Sequence, residues 1–256
     1  MTKTISAIAL VRRAAVLAGG LLLSFNVLAA DPAVPLQQSG TDIADRGSLQ
    51  RGAQLFMNYC AGCHSLQYLR YSRMADDLGL TEEEVMENLN LTGADYGHHI
   101  VSSMPASHAE GWFGQPPPDL TLVVRSKIGG PDWVYTFLKS FYQDEEAALG
   151  WNNGVFPNVS MPNPLWEMQG LQRPVLGEID EETGEPRIES LEMAHPGKLS
   201  EAEFDRVARD ITAFLEYAAE PAALKRQSIG VWVILFLVFF TFLAWLLKKE
   251  YWRDVH

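Results

Sequence analysis

The run Cys60-Ala61-Gly62-Cys63-His64 holds the residues of this chain best placed to do chemistry. A C-x-x-C-H spacing is the attachment signature of a c-type haem. Each thiol adds across one porphyrin vinyl group, and the two-residue spacer matches the separation of those vinyls. The adjoining imidazole is then placed to give a nitrogen to the iron. The competing chemistries are half of a zinc site and a redox dithiol. A zinc ribbon needs a second ligand pair, whereas the chain has only these two cysteines. A thioredoxin-like pair needs a strand-then-helix setting, and no such pattern surrounds the motif. One covalently bound haem c is the expected cofactor.

On the other face of the iron a thioether raises the reduction potential relative to harder ligands. Met161 lies in Met161-Pro162-Asn163-Pro164, where the prolines bar a helix and stiffen the loop. Met104, also followed by proline, and Met168 are rivals that spacing does not eliminate. Porphyrin propionates are anions that need donors or cations. Arg125 is a candidate for that role, although by itself it reads as an exposed charge. His98, His99 and His108 lie in a glycine- and serine-bearing stretch over 90–114. With no helical spacing and no carboxylate partners, they read as solvated loop histidines.

The elements that must position these groups are legible in part. A helix is expected to start near Ser48 as N-cap and to carry Leu49, Gly52, Ala53, Phe56 and Cys60 on one face. Glycine inside a helix costs about 1 kcal/mol against alanine, so Gly52 either admits another helix, for instance one presenting Phe214, or is simply tolerated. Thr81-Glu82-Glu83-Glu84 is a capping box stapled by Leu80 and Val85. Asp119, after Pro116-Pro117-Pro118, is expected to cap a helix over 120–128. Pro131 opens another, with Trp133, Val134, Phe137, Leu138 and Phe141 as its apolar stripe. The stretch 151–170 reads as loop. Ser200-Glu201-Ala202-Glu203 is a second capping box, and Phe204, Val207, Ile211, Phe214, Leu215 and Ala218 continue one stripe until Pro221. The acidic stretch 177–193 is either a docking surface for a basic protein or a mobile insertion.

At 256 residues the chain can bury one good core with appended segments. Its composition, 47% hydrophobic and 20% charged, is that of a globular protein. A formal net charge of -12 excludes nucleic acid as a partner, because phosphate binding needs a basic face. Residues 1–30 have the form of an export signal: Lys3, Arg12 and Arg13, then an apolar run, then Ala29-Ala30. Residues 229–247 are apolar and uncharged between Lys225-Arg226 and Lys248-Lys249. As a helix they span roughly 28 Å, about the thickness of a bilayer's hydrocarbon. The expected order is signal peptide 1–30, periplasmic haem domain 31–227, transmembrane helix 228–248 and cytoplasmic tail 249–256.

That order of parts resembles the cytochrome c1 family, the haem subunits of cytochrome bc1 complexes (ubiquinol–cytochrome c reductases). The likeness is carried by Arg51-Gly52 through Ser65, by Pro117-Pro118-Asp119-Leu120 through Arg125, and by Ala218-Ala219-Glu220-Pro221 before the anchor. Met161-Pro162-Asn163-Pro164-Leu165 is similar to the family's Met-Ala-Pro-Pro-Leu, with the middle residues altered. The resemblance implies a mainly α, single-haem class I cytochrome c-like domain with loop insertions, followed by one C-terminal transmembrane helix. It implies iron ligation by His64 and Met161, a propionate paired with Arg125, and Pro118 against the cofactor. Some relatives carry an additional cysteine pair, which is absent here. The implied work is electron transfer rather than bond-making: electrons pass from a Rieske iron–sulfur protein through haem c to a soluble cytochrome c, while cytochrome b oxidises quinol. The implied location is the bacterial inner membrane, single-pass, with the haem domain in the periplasm. The alternative is another membrane-anchored monohaem cytochrome c that donates electrons to a terminal oxidase.

Overall fold

Asp45, three residues ahead of the expected cap, opens the first helix. The computed structural model describes residues 34–179 and 186–253. The expected signal over 1–30, residues 180–185 of the acidic run and residues 254–256 of the tail lie outside them. Helix α1 (Arg46–Tyr59) is capped by the Asp45 carboxylate, which accepts from the Ser48 amide at 3.1 Å. Ser48 is thereby released from capping. It is buried, and its hydroxyl donates to Asp210 at 2.5 Å. Leu49, Gly52, Ala53, Phe56 and Met57 form the buried face of α1, the i, i+3, i+4 repeat of a helix with one apolar side.

That face lies against α8 (Glu201–Ala219), the most extensive helix pairing among the described residues. The expected capping box opens α8: Ser200 donates to the Glu203 carboxylate from its amide at 2.9 Å and its hydroxyl at 2.7 Å. Phe204, Ile211, Phe214, Leu215 and Ala218 are buried along it. At the crossing, a Cβ added to Gly52 would collide with the Asp210 carbonyl oxygen and come within 2.8 Å of Phe214 Cβ. Phe214 fills the space so created and meets Phe56 at 5.7 Å between ring centres. Asp210, 3% exposed, accepts from Ser48 Oγ, from Arg51 Nε at 2.6 Å and from Arg51 Nη2 at 3.0 Å. Three donors from one helix thus satisfy a buried carboxylate on the other, where an unpaired charge would be costly.

The remaining elements are short. Strand β1 (Leu66–Arg70) pairs antiparallel with β2 (His99–Ile100). Helix α2 (Tyr71–Leu78) closes on Gly79 at φ +68°, a left-handed position suited to glycine. Helix α3 (Glu82–Asn88) has the expected box, in which Thr81 Oγ1 accepts from the Glu84 amide and Glu84 accepts from the Thr81 amide. The loop expected over 90–114 contains β2 and also α4 (Ala106–Phe113). The helix expected over 120–128 contracts to a single turn, α5 (Val123–Ser126), although Asp119 still accepts from the Thr121 amide. Helix α6 (Pro131–Lys139) packs on α8, burying Val134 and Leu138 while Trp133 and Phe137 stack at 5.1 Å. The loop expected over 151–170 includes β4 (Trp151–Asn153), paired with β3 (Phe141–Gln143), and one turn, α7 (Trp166–Gln169). The acidic run belongs to an antiparallel ribbon of β5 (Gly170–Ile179) and β6 (Pro186–Pro196) in its described parts.

Pro221 follows the end of α8, and α9 (Ala223–Tyr251) begins two residues later. Its 29 residues run about 43 Å. The most apolar window has a mean hydropathy of 2.6, and its side chains are exposed. Helix α9 is therefore long and apolar enough to cross a bilayer. The fold as a whole is mainly helical, as expected.

Propensity alone would make Gly52→Ala stabilising by about 1 kcal/mol. Overpacking a tight contact costs about 1–3 kcal/mol, and the obstruction here is backbone, which cannot swing aside. We expect a net loss of about 1–2 kcal/mol, read as a lower thermal midpoint of the full-length holoprotein. An unchanged or higher midpoint would contradict the crossing described.

Candidate haem site

The C-x-x-C-H run folds because α1 ends on it. Cys60 is the C-cap, and the amides of Cys60 and Ala61 both donate to the Phe56 carbonyl, at 2.8 and 2.9 Å. The amides of Cys63 and His64 then return to the Cys60 carbonyl, at 3.0 and 2.8 Å. One tight turn thus holds both thiols and the imidazole. Ser102 braces it from outside, donating its hydroxyl to the Gly62 carbonyl at 2.8 Å and its amide to Ser65 Oγ at 2.9 Å. The Met104 amide in turn donates to Ser102 Oγ at 3.1 Å. Cys60 is buried, and burial pushes its thiol up to about 12, so it stays neutral.

The segment after the turn is laddered to the proline box. His64 Nδ1 lies 2.8 Å from the Pro118 carbonyl oxygen. A carbonyl can only accept, so Nδ1 carries the proton and Nε2 keeps its lone pair. Leu120 donates its amide to the Ser65 carbonyl at 2.9 Å. Asp119 accepts from the Gln67 amide at 2.7 Å with one oxygen and from the Thr121 amide at 3.0 Å with the other. Proline stiffness and these bonds together fix where the Pro118 carbonyl points. The contribution of Pro118 is thus its backbone oxygen. Burial holds His64 below the ordinary imidazole range, opposed by the bond to Pro118 and the charge of Asp119. The ring is therefore neutral at pH 7, the form that binds a metal.

Met161 stands on a separate loop between β4 and α7, half-buried and outside regular structure. Arg125, on α5, is exposed, and its Nη1 lies 3.5 Å from Glu220 Oε2. Glu220 also accepts from Arg226 Nε at 2.5 Å and Nη2 at 3.1 Å, so the charged face of α5 meets the start of α9. Cys60, Cys63, His64 and Pro118 are thus brought into one hydrogen-bonded cluster, whereas Arg125 and Met161 lie on other elements. His98, His99 and His108 do not converge: no group of three or more possible metal-ligating His, Cys, Asp or Glu side chains occurs among the described residues.

Two thiols outside any disulfide, beside an imidazole whose Nδ1 is committed to a carbonyl, fit a covalently attached haem c. Sequence reasoning missed Asp119 in its actual role, and it missed Ser65 and Ser102. The Pro-Asp dipeptide signalled a capping side chain, but its acceptor role reaches across 52 residues to Gln67, which local sequence does not reveal.

Residues 37–255 match the model of the Cytochrome C1 family. The chain belongs to the cytochrome c1 family. A cytochrome c1 from Allochromatium vinosum is 50% identical over 236 residues, covering 92% of this chain and 96% of that protein. A protein from Nitrosomonas europaea named ammonia monooxygenase gamma subunit is 40% identical over 236 residues, covering 92% and 95%. A cytochrome c1 from Rhodospirillum rubrum is 29% identical over 250 residues, covering 82% and 83%. The family carries covalently bound haem c, and the only two cysteines, Cys60 and Cys63, fit that attachment. As a family member with α9 at its carboxyl end, the chain is a membrane-anchored electron-transport protein.

Proposed function

We propose that this chain is the haem subunit of a quinol–cytochrome c reductase, taking one electron from a Rieske iron–sulfur protein and giving it to a soluble cytochrome c. Cytochrome b is the partner that oxidises quinol. The observation that carries the reading is the His64–Pro118 bond inside a turn that also bears both cysteines, in a chain matching the family over residues 37–255. When bound, the haem supplies reversible one-electron chemistry at an iron with no open position.

The residues have separate tasks. Cys60 and Cys63 hold the porphyrin covalently, so the protein keeps its cofactor in either oxidation state. His64 presents Nε2, held in one tautomer and one orientation by Pro118. Met161 supplies the sixth ligand. Support for it over Met104 is that the Met104 segment is already tied through Ser102 to the turn that carries His64, whereas Met161 stands on a separate proline-stiffened loop. Arg125, which contacts Glu220, would pair with a propionate.

Our proposed placement puts the haem domain in the periplasm, with residues 1–30 removed after export. Helix α9 crosses the inner membrane and the tail from 249 lies in the cytoplasm. Haem is attached covalently outside the cytoplasmic membrane, which orients a span whose two flanks are both basic.

Affinity purification from membranes is expected to recover this chain, positive for haem stain on a denaturing gel, with cytochrome b and a Rieske protein. The assembly is expected to reduce cytochrome c with quinol. Recovery alone, or with a membrane monooxygenase as the name of the Nitrosomonas relative has it, contradicts the proposal. For the sixth ligand, Met161→Leu is expected to lower the midpoint potential and let the reduced protein bind carbon monoxide. An unchanged potential would transfer the role to another residue.

A further inference from the structure

Prolines on either side of Asn163 restrict the torsions of the Met161 loop, but they do not fix where the loop lies against the rest of the domain. Something must tie it down over a longer range. Asn163 is 3% exposed and Gln169 is 5% exposed, unusually deep for two side-chain amides on a loop and a single helical turn. They form a relay whose direction is dictated from one end. The Lys139 carbonyl, at the end of α6, can only accept, so Gln169 turns Nε2 toward it at 2.7 Å. That leaves Gln169 Oε1 facing Asn163, which must therefore present Nδ2, at 2.8 Å. Asn163 Oδ1 is left for the Leu165 amide, at 2.9 Å. No amide in this chain of bonds has a free choice of orientation. The result pins the residue two positions after Met161 to α6, while Leu165 is buried beside it.

We propose that Asn163 is a positioning residue for the sixth ligand: its side chain, locked through Gln169 to the α6 carboxyl end, holds Met161 at ligating reach of the iron. The inference rests on the proposed ligation by Met161. Alanine at 163 strands Gln169 Oε1 and the Leu165 amide, each a buried group whose lost partner is expensive. Leucine at 169 breaks the same link from the other side. It leaves the Lys139 carbonyl partnered, because Gln172 Nε2 also donates to it at 2.8 Å.

The test is a double-mutant cycle on the full-length holoprotein with Asn163→Ala, Gln169→Leu and the pair. Three properties are read: the thioether-to-iron charge-transfer band of the oxidised protein, the midpoint potential, and carbon monoxide binding by the reduced protein. Each single variant is expected to weaken the band, lower the potential and admit carbon monoxide, and the pair is expected to be no worse than the more affected single. Singles with an unchanged band and potential, or a pair whose losses add, overturn the proposal. Met161→Leu separates the two claims. If it moves all three properties while the Asn163 variants move none, the ligand stands and the tether falls; if it moves none, the ligand assignment itself falls. Should Asn163→Ala yield no haem protein, Asn163→Asp decides, because it still accepts from Leu165 but cannot donate to Gln169. A wild-type band and potential in that variant overturn the proposal.

Discussion

One hydrogen bond, from His64 Nδ1 to the Pro118 carbonyl, sets the terms for the rest of the molecule. An imidazole has two nitrogens and can turn about its bonds, and a metal site cannot tolerate either freedom. A fixed backbone acceptor removes both, because it selects the tautomer and aims the other nitrogen. The acceptor must itself be fixed, which explains the environment of Pro118. Three consecutive prolines stiffen the approach, Asp119 ties down Gln67 and Thr121, and Leu120 bonds to Ser65. A backbone oxygen also adds no charge to the site.

The scaffold serves that bond at a distance. Helix α1 delivers the attachment turn, and its position depends on a crossing with α8 close enough to exclude a methyl group. The Asp210 carboxylate, held by Ser48 and Arg51, sets the rotation of one helix on the other, while Phe56 and Phe214 fill the space beneath. Helix α8 then runs to Pro221, and α9 follows almost at once. Few residues therefore separate the core beneath the haem site from the segment able to enter a bilayer. The Arg125–Glu220–Arg226 contacts cross that junction. An electron carrier that must meet partners at a membrane surface benefits from so short a tether.

The legible parts of the fold were those whose signal is local. Both capping boxes need only residues three apart, and the stripes on α1 and α8 need only helical periodicity; all are present. For Gly52 the sequence left a close crossing and simple tolerance both open, and the Asp210 carbonyl against its Cα decides for the crossing. The sequence reading put the cap at Ser48, whereas Asp45 is the cap and the Ser48 hydroxyl donates to Asp210 across 162 residues. The same blindness to distance hid the bond from the Gln67 amide to Asp119. Helix α4 escaped notice because Gly111 interrupts a segment of only eight residues. Strands of two or three residues such as β2 and β4 carry too few positions to show alternation. Within the site, the attachment motif was plain from spacing, while the relay from Asn163 through Gln169 to Lys139 involved residues that sequence alone marks only as polar.

Nitrogen magnetic resonance on the reduced holoprotein with isotope-labelled histidine addresses the central bond most directly. The structure predicts one iron-bound imidazole, ligated through Nε2, whose Nδ1 proton is present and exchanges slowly with solvent. A bound imidazole with an unprotonated or freely exchanging Nδ1, or two imidazoles on the iron, would contradict it.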